Sequence, residues 1–163
     1  MTSGNSQNPI ARLQRLWQYL HTKPGGTWLF SKILAWAIPY TGTIGAKINI
    51  LNPGYAKIEL RERRRVRNHL NSVHAVALVN LGELASGLAM LGTLPADVRG
   101  IPTRLSIDYF KKARGVLLAE SHCTPPTVID DTDFEVTADI HDAQGDLVAR
   151  TYVNWRLGPV PKS

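Results

Sequence analysis

The stretch "NHLNSVHAVALVNLGELASG", Asn68 to Gly87, decides how this chain is read. It opens with polar residues interleaved with Leu70 and Val73. From about Val73 to Leu91 the composition is helical, and small or apolar residues fall on almost every side of the helix. Such a helix has to be enclosed, and a sheet that curls around it is the economical way to do so. One carboxylate, Glu83, stands in the middle of it, nine residues after His74.

Working outward, the flanks read as strands. Upstream, "AKINIL" and "YAKIELRER" are joined by "NPG", Asn52 to Gly54, a hairpin with Pro and Gly where a tight turn wants them. Downstream, "TLPADVRGIP", Thr93 to Pro102, reads as a connecting loop. "TRLSIDYFKKA" is then expected to meet "RGVLLAESHC" across a turn at Ala113 to Gly115. In "DFEVTADIHD", Phe134, Val136, Ala138 and Ile140 alternate with Glu135, Thr137, Asp139 and His141, the mark of a strand with one buried and one wet face. "AQGD" turns it into the last strand, "LVARTYVNWRL".

Before the strands, residues 8–22 carry Ile10, Leu13, Leu16, Trp17 and Leu20 at helical spacing, and "KPGG" ends that helix. Thr27 is the expected cap of a second helix that stops before Pro39, and "YTGTIG" reads as a loop. The fold class is α+β: an antiparallel sheet wrapped around one long helix, with extra N-terminal helices. One domain is expected overall, an extension over 1–43 and the sheet-and-helix unit over 44–163.

Composition narrows the classes. At 163 residues, with 44% hydrophobic and 20% charged residues, the chain suits one globular domain. A single cysteine, Cys123, excludes an internal disulfide and a cysteine-rich zinc site. No signal peptide is legible, and the run Thr27 to Pro39 is too short to span a bilayer and contains Lys32. A cytoplasmic location is expected. The formal charge of +6 includes "RERRRVR", Arg61 to Arg67, with five arginines in seven residues. That run reads either as a solvated strand end or as a binding site for a phosphorylated small molecule. Nucleic acid is disfavoured, because no nucleic-acid-binding motif accompanies the charge.

The polar residues around the helix start have chemical uses. Ser72 is the expected N-cap, His74 falls in the first turn, and the backbone N–H of Ala75 belongs to the group that lacks an intrahelical partner and attracts an anion or oxyanion. Glu83 lies eight residues on, roughly 12 Å along the axis. One helix therefore does not bring both groups to one reacting atom, whereas two antiparallel copies in a dimer would, twice over. Helix-start amides stabilise a tetrahedral oxyanion, and a carboxylate with few polar neighbours is basic enough to activate water or attack a carbonyl. Structural readings stand beside these: His74 as a cap, and Glu83 paired with an arginine or facing solvent.

The pattern Asn68-x-x-Asn71-x-x-His74-Ala75-Val76, with Glu83 following, resembles the helix entry of hotdog-fold acyl-CoA thioesterases of the phenylacetate-pathway type, N-x-x-G-x-x-H-G-G-x-x-x-x-L-A-D/E. It resembles more closely still a hotdog family of unknown function. The resemblance implies that Glu83 is the general base or nucleophile and that the Ala75 N–H forms the oxyanion hole. It implies that His74 orients the thioester and that Asn68 positions water or the thioester. Thr103 matches a hydroxyl that sometimes assists, and Asn71, in place of the mid-loop Gly, completes the substrate-binding set with it. The substrate class implied is an acyl-CoA or acyl-carrier thioester, and the assembly a homodimer or tetramer, with no cofactor and no metal. Ala75-Val76 in place of Gly-Gly narrows the approach to the oxyanion amide and implies an altered substrate shape. The alternative is a non-catalytic hotdog module that binds an acyl group or a protein.

Overall fold

The computed structural model describes residues 9–160, and side chains from Arg12 onward. Residues 1–8 of the predicted extension, the side chain of Ile10 and residues 161–163 lie outside what is described. Helix α1 spans Pro9–Leu20 and α2 Gly26–Ala37. Trp17 and Leu20 of α1 and Phe30 and Leu34 of α2 are buried in the common core, so the extension shares the hydrophobic interior with the sheet.

The corner between these helices depends on glycine. Gly25, the N-cap of α2, has φ 73°, and a Cβ on Gly26 would lie 1.7 Å from the Leu20 carbonyl oxygen. Thr27 is thus not the cap; it lies inside the first turn, where its carbonyl accepts the Ser31 hydroxyl at 2.7 Å. "YTGTIG" is not all loop either, because Pro39–Gly42 forms one helical turn, α3, with Pro in the position it favours.

Strands β1 (Lys47–Asn52) and β2 (Tyr55–Arg61) form the expected hairpin, with Gly54 at φ 77° in its turn. Helix α4 runs Ala75–Leu91, followed by β3 (Val98–Tyr109), β4 (Val116–His122), β5 (Thr132–His141) and β6 (Leu147–Pro159). The six strands form one antiparallel sheet in the order β1-β2-β4-β5-β6-β3. The expected β3–β4 hairpin does not form. β3 pairs with β6 at the sheet edge, and β4 inserts between β2 and β5. The connection between them is held by the loop that enters α4: Ala113 accepts the Val73 N–H at 2.8 Å, and the Gly115 N–H donates to Glu62 at 2.6 Å. Those bonds carry the chain from the edge to the centre of the sheet.

Helix α4 lies across the concave face, with twelve of its seventeen residues buried, which accounts for its near-continuous apolar sequence. It approaches the sheet closely at Gly82, where a Cβ would lie 2.2 Å from Thr151 Oγ1 of β6. A Cβ on Gly87, just over one turn on, would touch the Trp155 ring at 3.4 Å. Small residues here set the helix-to-sheet distance.

Candidate functional site

The loop from Glu62 to His74 is built by local hydrogen bonds. Glu62 accepts from Arg67 Nε at 2.7 Å, and Val66 accepts the His74 N–H at 2.8 Å. The Asn68 carboxamide oxygen accepts the backbone N–H groups of Leu70 and Ser72, at 2.9 and 3.2 Å, and the Ser72 hydroxyl at 3.2 Å. It therefore staples the turn, and Nδ2 is the group it has left to offer a ligand. Asn71 has φ 53°, a backbone conformation that Asn tolerates better than most residues, and its carbonyl accepts from Arg114.

The N-cap of α4 is His74, not Ser72. Its Nδ1 accepts the Val76 N–H at 3.1 Å, which places the imidazole proton on Nε2, the outward donor. Ser72 is buried and used up in the turn with Asn68. The His74 carbonyl takes the N–H groups of Ala77 and Leu78. The N–H of Ala75 has no acceptor among the described residues, so it is the free amide at the positive end of a seventeen-residue helix.

Glu83 is half-buried, and its carboxylate has no hydrogen-bond or ionic partner among the described residues. Burial pushes its pKa above the usual carboxylate range. The helix face that carries it leans toward the β6–β3 side of the sheet, because the Gly87 position lies within reach of both Glu83 Oε1 and Trp155 of β6. Among the described residues no arginine pairs with it, and it is partly, not fully, withdrawn from solvent.

Two cavities flank the helix start. One, of about 280 Å³, is lined by Tyr40, Arg65, Arg67, His74, Val76 and Asn80 among others. The second, of about 360 Å³, is lined by Asn68, Leu70, Ala75, Leu78, Tyr109 and Phe110 among others. The structure thus places His74 on the first and Asn68 and Ala75 on the second. Glu83 lines neither, in keeping with its distance along the helix. Thr103 stands at a bulge in mid-strand, because β3 begins at Val98 and not after Pro102, and its hydroxyl donates to the Asn154 carbonyl at 3.2 Å. Among the described residues no group of three or more His, Cys, Asp or Glu side chains is placed to hold a metal.

Two polar groups at this site were not singled out from the sequence. Asn80 is 8% exposed, with its carboxamide oxygen buried and unpartnered, and it precedes Glu83 by three residues on the same helix face. Tyr109, at the end of β3, donates its hydroxyl to the Ala75 carbonyl at 3.2 Å and fixes the first turn of α4. Helical spacing from Glu83 points to Asn80, but only strand register brings Tyr109 to Ala75.

A long helix enclosed by a six-stranded antiparallel sheet defines a hotdog fold. The chain belongs to the family of a domain of unknown function, DUF4442, whose pattern matches residues 26–157. The structural-genomics protein APC5556 superposes with TM-score 0.77 at 28% identity, over 91% of this chain and 98% of its own. PA5026 from Pseudomonas aeruginosa, described as a protein of unknown function and probable thioesterase, gives TM-score 0.71 at 20% identity, over 77% and 91% of the two chains. A mutant of the thioesterase SAV0944 from Staphylococcus aureus gives TM-score 0.65 at 15% identity, over 74% and 99%. No curated protein matches the chain at a significant level.

Proposed function

We propose that this protein is a thioesterase that hydrolyses an acyl-CoA or acyl-carrier thioester in a site shared between two subunits. The observation that carries the reading is the unpartnered, half-buried carboxylate of Glu83 on the central helix of a hotdog fold. Burial makes it a stronger base than an exposed glutamate, and it activates the attacking water or attacks the thioester carbonyl itself. The free N–H of the other subunit's Ala75 receives the developing oxyanion. His74 Nε2–H and Asn68 Nδ2 orient the thioester, Asn71 holds the turn that presents them, and Thr103 sits on the strand bordering the shared site. Arg65 and Arg67, lining the cavity beside His74, are suited to the carrier's phosphates.

The edge strand supports the pairing. β3 is twelve residues long and has no neighbour on its outer side among the described residues. Its Leu105 and Tyr109 stand opposite Val153 and Ala149, both buried on the helix side of β6, yet remain 45% and 48% exposed. A second β3 joined antiparallel would cover that edge, and a two-fold axis normal to the sheet would set two α4 helices antiparallel on one face.

A specific feature favours the non-catalytic alternative: His74 occupies the Val76 amide and the Val76 side chain stands exposed beside Ala75, so the oxyanion pocket is narrower than a Gly-Gly entry would make it. Thiol release from short, medium, long and aromatic acyl-CoAs separates the two. Wild type is expected to turn over one class and Glu83→Gln to lose about 10²–10⁴-fold of that rate with its fold intact. Saturable acyl-CoA binding without turnover in either protein would establish the binding module instead.

A further inference from the structure

Along the sequence, residues 1–58 hold six lysines and arginines and no aspartate or glutamate, and the rest carries thirteen of each sign. In the fold Lys57 of β2 is paired with Glu120 at 2.8 Å, while Lys32 lies on α2 and Lys23 in the turn before it. The same segment carries aromatic residues that the core does not use. On α2, Phe30 and Leu34 are buried, but Trp28, Lys32 and Trp36 follow one another at four-residue spacing along the opposite face, with Trp28 58% and Trp36 84% exposed. Leu29, Ile38 and Tyr40 add 43%, 42% and 70% exposed side chains, and Tyr19 of α1 adds one at 63% with Lys23 Nζ 3.7 Å above its ring. The packing role that accounts for Phe30 and Leu34 does not extend to these residues.

Exposed tryptophans and tyrosines with aliphatic side chains and lysines among them have the composition of a surface that settles at the headgroup level of a bilayer. There the rings straddle apolar and polar layers, and the lysines meet anionic headgroups. We propose that the Trp28–Lys32–Trp36 face of α2 docks the protein on an anionic lipid surface, lying in the headgroup layer. Among the described residues no helix is long and apolar enough to cross a membrane, so the contact is peripheral. A two-fold contact centred on Lys32 would bring that lysine against its own copy, and α1 and α2 hold no acidic residue to compensate. Nucleic acid would leave Leu29 and Ile38 without a use.

The test is co-sedimentation of the full chain with phosphatidylcholine vesicles, with and without phosphatidylglycerol, followed by tryptophan fluorescence. Trp17 and Trp155 are already buried, so a blue shift reports Trp28 and Trp36. The expected result is sedimentation and a blue shift with phosphatidylglycerol vesicles only, both reversed by salt. Binding should fall roughly fivefold in Lys32→Gln and be lost in Trp28→Ser/Trp36→Ser, whose circular dichroism should match wild type because both rings lie outside the core. Equal sedimentation with both vesicle types, or binding unchanged in the double variant, would overturn the proposal. So would a wild-type oligomer that the double variant dissociates without any vesicle binding, or binding to an oligonucleotide in place of vesicles.

Discussion

His74 Nδ1 accepts the backbone N–H of Val76 at 3.1 Å, so the residue assigned to thioester orientation is also the cap of the central helix. The two roles separate by substitution. His74→Ala removes the cap and should cost about 0.5–2 kcal/mol in denaturant unfolding. His74→Ser restores a capping oxygen but has no Nε2–H. It should regain the stability and still turn over thioester poorly; full activity in His74→Ser would reduce the histidine to a cap.

Glu83 makes a paired prediction in pH. Its folded pKa lies above the ordinary glutamate value because burial disfavours the charge. The folded state thus holds the proton more tightly than the unfolded chain, and stability falls as pH rises from the ordinary glutamate range through the raised folded value, then levels off. Relative to Glu83→Gln, wild type should lose stability over that window and not outside it. Its kcat/KM should rise through the same window as the base ionises. Coincident unfolding curves for the two proteins at every pH would contradict the desolvated carboxylate.

Gly82→Ala reverses a general trend. In an exposed helix interior this change stabilises by roughly 1 kcal/mol. Here the new methyl would lie 2.2 Å from Thr151 Oγ1, with Thr151 Cγ2 and Cβ close behind, so the helix must lift from β6. A loss of about 1–3 kcal/mol is expected, with lower turnover because Glu83 moves with the helix. Thermal unfolding gives the sign directly, and a raised midpoint would contradict the packing described.

Leu105→Asp places a charge on the free β3 edge without touching the core of one subunit. Sedimentation velocity should show a shift from dimer to monomer, with retained circular dichroism and lost thioester turnover. Full turnover by a protein sedimenting as a monomer would place the whole site within one chain.

The sheet and its central helix were legible because burial repeats so regularly. Val136, Ala138 and Ile140 are buried between exposed Glu135 and Thr137, and α4 is enclosed as its composition requires. The separation of β3 from β4 was not legible, since adjacency in sequence favours a hairpin and nothing local announces that bonds from Val73 and Glu62 will carry the chain past β6 and β5. The cap lies two residues beyond the expected Ser72: serine is the commoner cap, and the His74 ring caps through a geometry that composition does not encode. Ala75 and Glu83 are candidates on helix spacing, and Asn68 is a candidate through the motif's resemblance. Helical spacing from Glu83 points to Asn80, whereas the Tyr109 hydroxyl reaches Ala75 only through strand register and side-chain placement.

The shared site is tested most directly by subunit complementation. Ala75 is the first helical residue, where proline is well tolerated, and His74 at φ −64° and ψ 139° already has the backbone that must precede a proline. Ala75→Pro therefore deletes the oxyanion N–H and little else. Glu83→Gln and Ala75→Pro should each be inactive alone. In a mixed dimer one site would combine the intact Glu83 of one chain with the intact Ala75 of the other, and after random exchange about one quarter of sites should be active. Recovery to that level is the predicted result. No recovery from a mixture shown to contain mixed dimers would contradict a catalytic site shared between subunits.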